Sequence, residues 1–480
     1  MDKKLIYLLI IFTIILTSGF GCKTVDKKVK EKMQPITLEY WRVWDGPDVF
    51  KEIIEKYNQM HPYVKINYTK LRYDEYEEKL IDAFAEDRGP DIFSIQNTWI
   101  RKYKNKIAPL PPTITMAYPV QKGTIKKETV IELRTKKSLT PKDVLNKFVD
   151  VVYNDVVIKE TDEKTNKSEE KIYALPLYVD TLAMFYNRDL LNNASIIQAP
   201  QFWNKEFYKD VKKLTKQNNK GQIVQAGVAL GGSDNIARSS DILSILMMQS
   251  GAIMMDEERH VLFHMNQFDA NNQAYNPGKM ALRFYTDFAN PAKEVYTWNK
   301  NMEYSLDLFA QGKLAMMFGY SYMIPQIKSM APKLNFSIAR LPQIEGNDEV
   351  NFANYWVEVV SKKILTDPED TKKGEKYVKQ KLDTAWDFLQ FLTSEEQAKI
   401  YLEKTKRPTA LRSLIEWQLD DPEIGIFAEQ LLTAKSWYKG NEPKAAENIM
   451  KEMIDEAVAR QMELEDIIML GARKIQQTVK

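Results

Sequence analysis

Residues 36–71 read ITLEYWRVWDGPDVFKEIIEKYNQMHPYVKINYTKL, and residues 91–99 read DIFSIQNTW. In the first stretch Ile36, Leu38 and Tyr40 alternate with polar residues, which is the period of a strand with one buried face. Phe50, Ile53, Ile54 and Tyr57 then recur at helical spacing behind Pro47, whose fixed φ suits the first turn of a helix. Val64, Ile66 and Tyr68 alternate again. Asp74 and Glu77, three residues apart, predict a capped start to a second helix carrying Tyr76, Leu80 and Phe84, and Gly89-Pro90 breaks the chain before a strand over 91–95. The order β-α-β-α-β predicts an α/β fold built on an open parallel sheet.

Open sheets of this kind take ligands beyond the carboxyl ends of their strands. The segments that fall there are 41–45 (WRVWD) and 96–99 (QNTW). Three tryptophans and several hydrogen-bonding groups therefore converge on one edge, and because they follow the strands, a surface cleft is expected there.

Further along, residues 113–172 fit the pattern poorly. They read as an accessory insertion with a helix over 141–152 and a charged hairpin whose tip is 161–168. A second α/β unit follows, with strands over 223–230 and 314–318, a buried helix over 241–248, and helices over 277–288 and 303–310. Strands over 336–341 and 355–360 precede a helix-rich tail in which Leu382, Trp386 and Leu389 repeat at helical spacing.

The formal net charge is +2, and nothing in it suggests a nucleic-acid partner. Lys3 and Lys4 precede an apolar run over 5–16 that only Thr13 interrupts, and a short small-residue segment leads to Cys22, the single cysteine of 480 residues. This is the layout of an export signal, and the run is too short for a spanning helix, which needs about 20 apolar residues. With one cysteine there is no internal disulfide, so stability rests on packed cores. Cys22 also resembles the modified cysteine of bacterial lipoprotein signals, although Gly19 stands where a leucine-like residue is usual. The lysines over 23–32 predict a basic tether beside an anionic membrane.

Three motifs, in this order and spacing, resemble one family: 89–93 (GPDIF), 173–191 (YALP running through Asp180 to YNRDLL), and 309–316 (FAQGKLAM). The family is the extracellular solute-binding proteins that deliver sugars to ABC importers, including the maltose-binding type, and the resemblance spans most of residues 36–440. It implies two lobes joined by crossing strands and a hinge that closes on ligand. The implied division is a signal at 1–21, a tether at 22–35, a first lobe of 36–175 plus about 333–365, and a second lobe of 176–332 plus about 366–480. The ligand contacts it implies are Trp44, Asp45, Asn97, Thr98 and Trp99, then Asp180, and on the far lobe Tyr320 and Tyr322, with Trp356 beyond. Arg407 receives no contact from it. The implied partners are a carbohydrate and the permease subunits of an importer, with a lipid at Cys22 holding a monomer to the outer membrane face, and no cofactor is implied.

The physics of a sugar matches these residue types, because pyranose faces stack on Trp and Tyr and hydroxyls pair with carboxylates and amides. Catalytic readings are weaker. Asp45 and Asp180 could form a glycosidase pair. His260 and His264, four apart, are separated by Val261-Leu262-Phe263, which favours a strand and sets the imidazoles too far apart for one metal. Structural roles are expected for both and for His61. A non-sugar solute, such as a polyol, a glycerophosphodiester or a peptide, is the main alternative, and a phosphate would want more arginines than Arg42 offers.

Overall fold

The computed structural model describes residues 34–123, 128–161, 165–268 and 271–480. The signal over 1–21, Cys22 and all but the last two residues of the tether lie outside the described residues.

Strand β1 (Ile36–Val43) buries Ile36, Leu38 and Tyr40 and turns Thr37 and Glu39 outward. Helix α1 (Pro47–Met60) carries Pro47 at its first position and buries Val49, Phe50, Ile53 and Tyr57. Strand β2 (Val64–Leu71) pairs parallel to β1 along its whole length, and β3 (Ile92–Gln96) pairs parallel on the other side. Helix α2 (Tyr73–Ala85) departs from the expected cap: Arg72 takes the capping position and no side chain caps it, leaving Asp74 in the first turn where it complements the helix dipole. The sheet is mixed, because Trp356–Ser361 returns from far along the chain and pairs antiparallel to β3.

A second sheet runs in the order Lys216–Gln217, Ile223–Val228, Leu314–Gly319, Ala183–Asn187, Phe336–Ala339. Each sheet has its own apolar core, one drawing on residues 36–179 and 353–434, the other on 182–352 and 424–479. The two lobes meet at a small sheet of Asp180–Thr181, Asn351–Asn354 and Ala434–Lys435, so the chain crosses between them three times.

Those crossings correct the expected division. Residues 333–350 belong to the second lobe, since Phe336–Ala339 pairs there with Met184–Asn187. Helices Glu375–Leu392 and Glu395–Thr405 belong to the first, where Trp386, Phe388 and Tyr401 are fully buried. Only the end of the tail, with helices Pro443–Ala459 and Leu464–Thr478, returns to the second core. Amphipathic periodicity says that a helix has a buried face and nothing about which core receives it.

The inserted segment forms a hairpin over Thr113–Lys122 and Glu128–Lys137 that sequence reading did not find. The predicted helix is split into Pro141–Lys147 and Asp150–Val156, and the charged hairpin Val157–Thr161/Ser168–Ile172 is present as read. Among the described residues no helix is long and apolar enough to cross a membrane.

Candidate functional site

A cavity of about 750 Å³ lies between the lobes against the first crossing strand. Five of the predicted residues line it: Trp44, Asp180, Tyr320, Tyr322 and Trp356. Trp44 follows the last residue of β1 and holds a left-handed backbone, φ 73°, a conformation costing on the order of 1–3 kcal/mol for a residue with a side chain. Its ring is 45% exposed and stacks on Tyr73 at 5.0 Å. Tyr322, 39% exposed, stacks on Tyr320 at 6.1 Å from the opposite lobe. The cavity therefore has an accessible aromatic face on each lobe. Trp356 is nearly buried and meets Tyr73, Tyr76 and Trp99 at steep angles, so its indole is held rigidly.

Asn97, Thr98 and Trp99 line a second, smaller interlobe cavity of about 340 Å³ on the far side of Tyr73, Gln96, Arg238 and Asn354, which border both spaces. Trp99 is largely core. It stacks on Tyr103 at 6.0 Å and is 8% exposed, so a cleft role for it would be confined to one edge.

Asp45 borders neither cavity. Its carboxylate accepts from Tyr401 at 2.8 Å and pairs with Arg407 at 3.2 Å and Arg42 at 3.4 Å. Burial raises its pKa, but the two guanidiniums outweigh burial and hold it below the usual carboxylate range. Arg42 continues inward to Glu358, which is fully buried and also accepts from Tyr40 at 2.8 Å. A chain of alternating charge, Glu358, Arg42, Asp45, Arg407, thus runs from the centre of the first sheet to the cavity wall. The glycosidase pairing of Asp45 with Asp180 is not assembled, because one partner is locked in this chain.

Asp180 opens the first crossing strand and accepts from the Ser321 backbone at 3.0 Å and hydroxyl at 2.7 Å and from the Thr181 backbone at 3.0 Å, which joins the crossing strand to the second lobe. Burial pushes its pKa up to about 6, against the pull of those donors and of Arg407. A carboxyl whose folded pKa lies above its unfolded one stabilises the fold below the unfolded pKa and loses that contribution as pH rises through the folded one. Wild type should therefore lose stability between about pH 4 and 6 relative to Asp180→Asn, as urea midpoints at pH 4.5 and 7 will read; equal midpoint changes in both proteins would contradict this assignment.

Sequence reading missed Arg238, Arg407, Tyr73 and Tyr304, all lining the large cavity. Arg407 lies with its guanidinium 4.5 Å from the Tyr178 ring, and Arg238 makes two 2.9 Å bonds to Asp241. The signal for Arg238 was weak, since a positive-φ residue opening a buried helix carries no periodicity. Tyr320 donates to the same Asp241 at 2.6 Å, so its hydroxyl is engaged in the protein and the residue is almost fully buried beside the cavity.

The histidines behave as expected or more loosely. His61 is buried between Asp387 and the Ala117 carbonyl. The residues between His260 and His264 form one bridge and a turn instead of a strand. Exposed His260 bonds Asp256 at 2.9 Å, within a small surface cluster that includes Glu258.

A model of the family described as bacterial extracellular solute-binding protein matches residues 44–399. The chain is 21% identical over 404 residues to the galactooligosaccharide-binding protein of Bacillus subtilis strain 168, covering 83% of this chain and 77% of that one. Among solved structures it superimposes on a cyclic α-maltosyl-1,6-maltose binding protein from Arthrobacter globiformis, with TM-score 0.67, 16% identity and coverage of 93% and 99% of the two chains. The maltose-binding protein of Listeria monocytogenes in complex with maltose gives TM-score 0.65 and 16% identity over 93% and 98%. The chain shares its fold with these proteins, and with the family model matching most of its length it belongs to the bacterial extracellular solute-binding protein family.

Proposed function

We propose that the protein captures a mono- or oligosaccharide between its lobes and passes it to the permease of an ABC importer, without chemical change to the sugar. The observation that carries this is the pair of accessible aromatic faces, Trp44 on one lobe and Tyr322 on the other, bordering one cavity with polar groups between them. A pyranose sandwiched there buries its CH faces on both rings while its hydroxyls reach Gln96, Asn354 and Arg407. Contact with both lobes at once is what makes ligand favour the closed form. The sugars in the names of the relatives point the same way.

Phosphate-bearing solutes fit less well despite the arginines now present. Arg238 is paired with Asp241 and Glu447, and the charge of Arg407 is already balanced by Asp45, so neither guanidinium offers an anion an uncompensated charge. Thermal denaturation against maltotetraose, galactotriose, cellotetraose, glycerophosphocholine and a tetrapeptide decides between the classes. At least one sugar should raise the melting temperature by several degrees when present at about 100 times its dissociation constant. A shift from the phosphodiester or the peptide alone would replace the carbohydrate reading.

We further infer, from the signal-like leader and Cys22, that this capture takes place at the outer face of the cytoplasmic membrane, with a lipid on Cys22 as the anchor and the protein acting as a monomer. Cys22→Ala should move the protein from the membrane fraction to the soluble one after cell fractionation. Retention of that variant on membranes would argue for an uncleaved leader as the anchor.

A further inference from the structure

The inserted segment 113–172 carries a side chain, Asp155, that bonds residues bordering the smaller interlobe cavity. Helix Asp150–Val156 packs beside the turn that follows β3, and Asp155 extends from it into the junction between lobes. Its Oδ2 accepts from Asn97 Nδ2 at 2.9 Å and from the Tyr355 hydroxyl at 2.8 Å, while Oδ1 accepts from the Ser436 hydroxyl. Tyr355 follows the crossing strand Asn351–Asn354, and Ser436 follows the crossing strand Ala434–Lys435. Asn97 and Ser436 both border the smaller interlobe cavity.

The chemistry of the hub is specific. All three direct donors are neutral, and the nearby cation, Lys439, bonds the Asn154 carbonyl at 2.9 Å while its charge favours the ionised carboxylate. A carboxylate is acceptor-only, with about four lone-pair sites, and can collect three donors from three segments at once where an amide or hydroxyl would present a clashing hydrogen. Enclosing it is costly, and burial pushes its pKa up. Asn97 is also held at its backbone, where its N–H donates to the Tyr355 carbonyl at 3.0 Å, so its side chain has one orientation available. Its Oδ1 is buried with no hydrogen-bond partner among the described residues, leaving one acceptor of the hub unmatched.

We propose that Asp155 is a positioning residue: an oligosaccharide held between Trp44 and Tyr322 extends past Gln96 and Asn354, which border both cavities, into the smaller one, where Asp155 fixes Asn97 and ties it to two of the three crossing strands, so that ligand contact and lobe closure converge on one carboxylate. This rests on the interlobe capture of a sugar set out above. The inserted segment then acts as a brace inside the hinge, and its role extends beyond decorating the first lobe.

The test is a double-mutant cycle of Asp155→Asn and Asn97→Ala, read as the dissociation constant for whichever of maltotetraose, galactotriose and cellotetraose wild type binds, with small-angle scattering of the ligand-free proteins in parallel. Asp155→Asn should weaken binding about tenfold alone and by less than about twofold in the Asn97→Ala background, because the second change acts through the first. Its ligand-free scattering should report a wider spread of lobe separations. Losses that multiply, or unchanged affinity with only a lower melting temperature, would reduce Asp155 to a structural residue and overturn the proposal. If Asp155→Asn does not fold, Ser436→Ala and Tyr355→Phe each delete one donor and enter the same cycle with the same outcomes. If wild type binds none of the three sugars, the carbohydrate reading fails separately, and wild-type-like scattering from the variant would still overturn this one.

Discussion

Arg42→Ala should destabilise the protein by about 3–5 kcal/mol, the cost of leaving buried charges without their partner. The Arg42 side chain is 1% exposed, and its Nε lies 3.2 Å from the fully buried Glu358 while an Nη lies 3.4 Å from Asp45. Its guanidinium also packs 4.8 Å from the Phe50 ring and 5.5 Å from the Tyr401 ring. Removing it leaves two carboxylates facing each other in the core of the first lobe. Burial already raises the Glu358 pKa against the pull of Arg42, so in the variant Glu358 should be protonated still more readily. Guanidinium unfolding measures the loss. The charge-balanced double variant Arg42→Met/Glu358→Gln should be markedly less destabilised than Arg42→Ala, since neutral groups of similar size carry no uncompensated charge. A double variant as unstable as the single one would show that shape, and not charge, is what Arg42 contributes.

Trp44→Ala and Tyr322→Ala should each weaken sugar binding by about 10- to 100-fold, the equivalent of about 1.4–2.8 kcal/mol, while shifting stability by no more than about 0.5 kcal/mol. Both rings are more than a third exposed, so the folded protein without ligand gains little from them. Trp44 also sits at positive φ, and Trp44→Gly should relieve that backbone and match or exceed wild type in stability. Trp356→Ala provides the contrast, because its indole is buried among Tyr73, Tyr76 and Trp99 and its loss should lower affinity and stability together. Titration calorimetry and thermal melts on the same samples separate the two effects. Wild-type affinity in both Trp44→Ala and Tyr322→Ala would remove the two-faced aromatic site on which the carbohydrate reading stands.

The placement of Asp45 shows where sequence reading reaches its limit. The residue follows β1 at the edge where ligands bind, and its position along the chain is as expected. What its neighbours in sequence do not reveal is that Tyr401 and Arg407, more than 350 residues later, turn it inward. Arg407 was passed over for the same reason, since its role depends on Tyr178 and Asp45 arriving beside it. Trp44 was legible because it follows β1, whose alternation is local, whereas Tyr322 came only from the resemblance, since the strand before it, Leu314–Gly319, is buried throughout and shows no alternation.

By itself the sequence determined the local elements: strand and helix periods, the proline and glycine breaks and the α/β class. These follow from side-chain period and backbone restriction, which act over a few residues. Only the tertiary structure decided which lobe each element joins, which carboxylates are locked, that arginines reach the cavity, and that the inserted helix places Asp155 in the hinge. Those outcomes depend on pairing and burial between segments far apart in the chain. Sheet edges and buried charges are satisfied by whichever segment arrives, and local pattern carries no record of the partner.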